Sequence, residues 1–154
     1  MLSYRKCVAV LLLKDSKIFV GRRIDMENAW QLPQGGVEKN ENHLEAAKRE
    51  LFEETNVSTV EFLSVSSSYR YDFPPHVQQA ILRRRNRLRY AGQEITFFAF
   101  RFIGEEKEIN ICKENREFVE WKWMSTEELL QKIVYFKKPS YRQALAKFKN
   151  QGLI

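Results

Sequence analysis

The 154-residue sequence holds only two cysteines, Cys7 and Cys112, two histidines, four prolines and six glycines. Two cysteines are too few for a disulfide framework. The opening MLSYRKC places its basic residues before only six apolar ones, without the core or cleavage pattern of a signal peptide. A reducing cytoplasm is therefore the expected home. No apolar run approaches the roughly 18 residues of a membrane span; the longest, residues 8–13, suits a buried strand. His43 and His76 have no partners at metal-ligand spacing and read as surface residues. No repeat, low-complexity tract or Pro/Gly/Ser-rich linker divides the chain, so one domain over residues 1–154 is expected. What is present, 44% hydrophobic and 30% charged residues, is the balance of a folded protein and excludes general disorder.

The net charge is +6, but its distribution says more than its sum. Residues 38–61 hold seven acids against three bases, net −4. Residues 70–101 hold seven arginines against Asp72 and Glu94, net +5. Residues 131–154 hold six bases and no acid. Any one block, such as the run RRRNRLR at 83–89, is by itself a solvated face. Together, a dense carboxylate segment can hold a divalent metal while surrounding cations attract a phosphate-bearing substrate.

Apolar runs at 8–13 and 17–20 flank the polar turn Lys14-Asp15-Ser16 and predict a hairpin. Residues 30–33 form a short extended piece before Gly35-Gly36. Leu44, Ala47 and Leu51 have helical spacing, and Asn42 with Glu45 makes a capping pair, so a helix is predicted over 42–54. Strands are predicted at 57–65, 95–103 and 118–123. Residues 70–93 are polar, Arg-rich and carry Pro74-Pro75; they read as a long loop with a helical turn near 76–89. Ser125 and Glu128 cap one helix, and Pro139 suits the first turn of a last one ending near Asn150. The whole is a mixed α/β (α+β) domain. Trp30, Trp121, Trp123 and Cys7 read as packing residues.

Glu50, Glu53 and Glu54 lie at i, i+3 and i+4, on one helix face beside the apolar one. Like charges so close cost about 0.2–0.5 kcal/mol per pair, and only Arg49, four residues before Glu53, offsets them. An exposed Glu-rich helix would also show three such residues. A hard-cation site is the functional reading, because Mg²⁺ takes oxygen ligands and carboxylates supply both charge and donors.

The wider spacing decides between these. Gly35, five residues, Glu41, seven residues, then Arg49-Glu50-Leu51-Phe52-Glu53-Glu54-Thr55-Asn56-Val57 resembles the Nudix box, G-x5-E-x7-R-E-U-x-E-E-x-G-U with U aliphatic. Eight of its nine defined positions match. With ordinary residue usage, chance would give such a match in this chain on the order of one time in a million. The departure is Asn56 for glycine, at a position that wants positive φ just past a helix end; asparagine tolerates this next best. The resemblance implies an α/β/α sandwich with a mixed sheet and hydrolysis of a nucleoside diphosphate linked to another group.

The flanks narrow it. Tyr4-Arg5, Gly21-Arg22-Arg23, the lead-in Trp30-Gln31-Leu32-Pro33-Gln34-Gly35-Gly36, Arg70-Tyr71, Gly92-Gln93, Arg116-Glu117-Phe118, and Val134-Tyr135-Phe136-Lys137 are similar to the bacterial RNA pyrophosphohydrolases. That group is close to the plant-type dinucleoside polyphosphate hydrolases. The resemblance implies Glu50, Glu53, Glu54, Glu117 and the Gly35 carbonyl as ligands of Mg²⁺ or Mn²⁺, with Glu53 or Glu54 as the catalytic group that orients or deprotonates water. It implies Arg5 and Phe136 as a clamp on the first nucleobase, and Arg23 with Lys137 at the phosphates. On the residues alone, Arg5 and Arg23 are also ordinary surface cations and Phe136 is also a core residue.

The expected function is removal of pyrophosphate from the 5′-triphosphate end of RNA. Asymmetric cleavage of dinucleoside polyphosphates such as diadenosine tetraphosphate is the rival of the same chemistry. A non-catalytic RNA-binding module is the rival of another class, opposed by the glutamate set, since clustered carboxylates near phosphate give pure binding nothing. The partner is an RNA 5′ end or a nucleoside polyphosphate, with no membrane, and a monomer is expected.

Overall fold

The computed structural model describes residues 2–154. Strand β1 (Ser3–Lys14) is the centre of the molecule. Its apolar run is buried on both faces, because helices cover both. Cys7, Ala9, Leu11 and Leu13 join one core cluster; Val8, Val10 and Leu12 join the other. β2 (Lys17–Arg23) returns antiparallel, with Leu13 opposite Ile18. Asp15 and Ser16 turn the corner with φ of 51° and 64°, as a two-residue hairpin demands.

The extended piece expected at 30–33 holds β3 (Trp30–Gln31), which pairs with β2. A further short strand just after it, β4 (Gln34–Gly36), pairs with β1 at Cys7–Ala9. Helix α1 (His43–Thr55) follows. β5 (Val60–Asp72) and β6 (Tyr90–Phe102) are antiparallel, and β6 runs parallel to β1. β7 (Phe118–Met124) pairs with β2, and α3 (Thr126–Lys132) and α4 (Lys138–Asn150) close the chain. The strands make one mixed seven-stranded sheet. One face carries α1; the other carries Leu129 of α3 and Tyr141, Ala144, Leu145 and Phe148 of α4. This is the expected α/β/α sandwich. Phe19 stacks on Trp121, and Trp123 on Phe102, so these tryptophans do pack.

The long loop expected at 70–93 is not one. β5 and β6 extend through Asp72 opposite Gly92, with Arg70 and Glu94 paired across them at 3.1 Å. A helix, α2 (Pro75–Arg85), joins the strand ends. Pro74-Pro75 starts this helix instead of breaking it. Pro74 is the N-cap and Pro75 the first helical residue, where a missing N–H is no loss. Among the described residues, no helix is long and apolar enough to cross a membrane.

Candidate active site

The carboxylates depend on how α1 is held. At its start the Glu45 N–H donates to Asn42 Oδ1 at 2.8 Å, and Asn42 Nδ2 donates to Glu45 Oε1 at 2.8 Å, the reciprocal bonding predicted from the sequence. Ala46, Ala47 and Leu51 are buried. At its end Asn56 takes φ 67° and its N–H donates to the Phe52 carbonyl at 2.8 Å. The asparagine does more than replace glycine. Its Oδ1 accepts from Lys113 Nζ at 2.9 Å and its Nδ2 donates to the Glu108 carbonyl at 3.3 Å.

Glu54 is buried, 7% exposed. Its Oε2 accepts from the Gln34 N–H at 3.1 Å, while Oε1 has no hydrogen-bond partner among the described residues. Burial, and then the charges of Glu50 and Glu117, hold its carboxyl well above the usual range. Glu50 lies against Gly35, so closely that a Cβ there would come within 2.1 Å of its carboxyl group and push it aside. Burial raises Glu50, opposed by Arg49. Glu117, just before β7, is raised by burial against the pull of Arg23. Glu53 is exposed on the rim.

Arg49 organises this face more widely than an ion pair with Glu53 alone. It donates to Glu50 at 2.8 Å, to Glu53 at 3.3 Å, to both Glu41 oxygens at 2.7 and 2.9 Å, and to the Gly36 carbonyl at 2.9 Å. The guanidinium bonds pull Glu41 down to about 2. Among the described residues, no three His, Cys, Asp or Glu side chains are gathered closely enough to hold a metal ion as they stand. The donor set nevertheless fits a hard divalent cation. It has an orphaned buried carboxylate oxygen and two acidic neighbours, and burial disfavours ionisation of all three.

The cations sit beside this set. The Arg5 guanidinium lies over Gly36, with Nη2 2.5 Å from where a Cβ would be. Arg23 is clasped by Asp25 at 2.9 and 2.6 Å. Lys137 is buried, its Nζ 3.4 Å from Gln31 Oε1, and burial pushes it down to about 8. Its charge therefore stands behind the site and not out in solvent. The Phe136 ring lies 5.6 Å from that of Tyr71. Tyr71 donates to Gln93 Oε1, and its hydroxyl, raised mainly by burial, feels the charges of both Arg23 and Arg5.

Gly35 and Glu50 are thus in contact, and the charges of Glu50 and Glu117 both reach Glu54. Arg23 and Lys137 act on Glu117 through their charges, Arg5 acts likewise on Tyr71, the Phe136 ring lies beside that of Tyr71, and Glu53 stays on the edge. Asp25, Gln31, Gln34, Tyr71 and Gln93 carry no role in the sequence reading. Gln31 and Gln34 stood in the motif before the box, and Tyr71 and Gln93 bracketed the arginine block. Their cross-strand meeting required the register of β5 and β6.

The NUDIX domain model matches residues 3–144, and the chain belongs to that family. It is 39% identical to an RNA pyrophosphohydrolase of Bartonella clarridgeiae, over 97% of this chain and 92% of that protein. It is 41% identical to an RNA pyrophosphohydrolase of Pelagibacter ubique, over 91% of this chain and 87% of that one. Among solved structures, a C. elegans Ap4A hydrolase shares the fold with a TM-score of 0.67 at 14% identity, over 94% of this chain and 98% of that one.

Proposed function

We propose that this Nudix hydrolase removes pyrophosphate from the 5′-triphosphate end of RNA, using Mg²⁺ or Mn²⁺, and that residues 1–154 work as one catalytic unit. The observation that carries the metal reading is Glu54, a buried carboxylate with an unpartnered oxygen that feels the charges of two further acids. The substrate reading is supported by relatives named RNA pyrophosphohydrolase that match this chain nearly end to end.

Glu50, Glu54, Glu117 and the Gly35 carbonyl would hold the cation, with Glu53 joining from the rim. When bound, such an ion neutralises polyphosphate charge and acidifies coordinated water. The chain's own residues do the rest. Arg49 fixes Glu50 on its face of α1 and ties Glu41, ahead of the helix, to it. Glu53 or Glu54 accepts a proton from the attacking water. Arg5 and Phe136 take the first base between a planar cation and an aromatic ring, and stacking of this kind contributes about 1–3 kcal/mol. Arg23, already oriented by Asp25, faces the phosphates with a planar fork of donors, and Lys137 adds positive charge from behind. One water is consumed; the α–β anhydride bond breaks, leaving a 5′-monophosphate and pyrophosphate.

The test is product analysis of a 5′-triphosphorylated RNA beside diadenosine tetraphosphate, with Mg²⁺. Pyrophosphate and 5′-monophosphorylated RNA are the expected products. Rapid cleavage of the dinucleotide with RNA left intact would replace this reading by dinucleoside polyphosphate hydrolysis.

A further inference from the structure

Of the seven arginines in residues 70–101, two are spoken for. Arg70 pairs with Glu94 and Arg101 with Glu61. The other five, Arg83, Arg84, Arg85, Arg87 and Arg89, are all exposed and, among the described residues, enter no ion pair. Three of them fill the last turn of α2, a helix with no buried residue and no side-chain cap at its start. Nothing in the core requires this helix.

Its position is the second observation. Both ends of the β5–α2–β6 arm touch the candidate site. At the near end, the His76 ring lies 6.3 Å from the rings of Tyr135 and of Phe136, the aromatic half of the proposed base clamp. At the far end, the chain returns through Arg87 and Arg89 to Tyr90. Tyr90 lines a polar cleft of about 370 Å³ with Tyr4, Arg5, Lys6, Glu38 and Glu50. The Arg89 guanidinium stands 5.7 Å over the Tyr90 ring, and Arg70 stands 4.7 Å over Tyr4. Aromatic rings with cations over them, opening beside Glu50 and continuing into unpaired arginines, suit a strand that alternates bases and phosphates.

We propose that the β5–α2–β6 arm binds the single-stranded RNA that follows the 5′ end, with Arg83, Arg84, Arg85, Arg87 and Arg89 on its phosphates and Tyr90 as a stacking surface. This rests on the RNA reading above. It differs from the base clamp, because a dinucleotide polyphosphate, or an RNA of two residues, lacks the following chain of phosphates that would meet these five arginines. The arm therefore makes the enzyme favour long 5′ ends over short ones without touching the reacting phosphates.

The experiment measures equilibrium binding of a labelled 12-nucleotide 5′-triphosphorylated RNA, in chelator so that it stays intact, across a salt series. Alongside it, KM is measured with Mg²⁺ for that RNA and for a triphosphorylated dinucleotide. Each phosphate contact on a single strand contributes about 0.7 to the slope of log affinity against log salt. Changing Arg83→Gln, Arg84→Gln and Arg85→Gln together should lower that slope by about 2 and weaken binding at least tenfold at low salt. KM for the 12-mer should rise, with dinucleotide hydrolysis within twofold of the native protein. The pair Arg87→Gln and Arg89→Gln lies outside the helix and should act in the same direction even if α2 loosens. The proposal is overturned by an unchanged slope, by equal losses on both substrates, or by a change of oligomeric state in sedimentation with RNA affinity intact, which would make the arm a protein contact. If the native protein hydrolyses neither RNA but the arm variants still lose binding, the proposed function fails and the arm stands. If RNA is hydrolysed and the variants bind it normally, the function stands and the arm fails.

Discussion

Helices α1 and α2 are thirteen and eleven residues long, and each ends on an asparagine in the left-handed conformation, Asn56 at φ 67° and Asn86 at φ 62°. They share little else. α1 is capped by Asn42, buries Ala46, Ala47, Leu51 and Thr55, and its arginine is bonded to three glutamates and a backbone carbonyl. α2 has no side-chain cap and no buried residue, and its arginines are unpaired among the described residues. Charges that must be placed to within a fraction of an ångström need a packed, capped helix. Charges that only have to meet a flexible polyanion do not.

The largest effect expected from this contrast is on rate. Glu53→Gln and Glu54→Gln keep the shape of α1 but remove the charge, and each should lower kcat roughly 10²- to 10⁴-fold while the circular dichroism spectrum is unchanged. Near-native turnover by both folded variants would remove the chemical role of α1. Next in size is stability. Leu51→Ala opens a cavity in the core and should cost about 2–5 kcal/mol. Leu82→Ala, on exposed α2, should cost less than about 0.5 kcal/mol in the same denaturant titration. Equal costs would mean that α2 is part of the cooperative core.

The smallest difference concerns the two asparagines. Asn56→Val forces a β-branched residue into positive φ and also loses the contacts to Lys113 and Glu108. A cost of about 1–3 kcal/mol is expected, whereas Asn56→Gly should leave catalysis unchanged. Asn86→Val should lower the melting temperature less, because the end of α2 can fray without exposing core.

The same contrast explains what was legible in the sequence. α1 was readable in full, because core spacing, Asn42 with Glu45 and the positive-φ position at Asn56 are all local signals. So was the box, since its glutamates act at helical spacing. α2 shows in the sequence only as a helical turn near 76–89 within an expected loop, because the helix has no apolar periodicity and opens on two prolines. The true lengths of β5 and β6 were hidden for a similar reason: Tyr71 opposite Gln93 and Arg70 opposite Glu94 are polar pairs brought together by the sheet. Lys137 is expected at the phosphates, but nothing local tells that it is buried with its Nζ towards Gln31. The whole role of Arg49 likewise needed Glu41 and Gly36 to fold back onto it.

The most direct test of the account is the thermal stability of the native protein and Glu54→Gln, with chelator and with Mg²⁺ or Mn²⁺, between pH 4 and 8. The folded state holds the Glu54 carboxyl well above its ordinary range, through burial and then Glu50 and Glu117. Its contribution to stability is therefore present below the unfolded value and lost as pH rises through the folded one. In chelator the native protein should fall increasingly behind Glu54→Gln as pH rises, by about 1–3 kcal/mol near neutrality, and the two should converge in acid. A divalent cation at neutral pH should reverse the order, raising the native melting temperature and hardly changing that of Glu54→Gln. If the cation stabilises both proteins equally, or neither, Glu54 is not at the heart of a metal site.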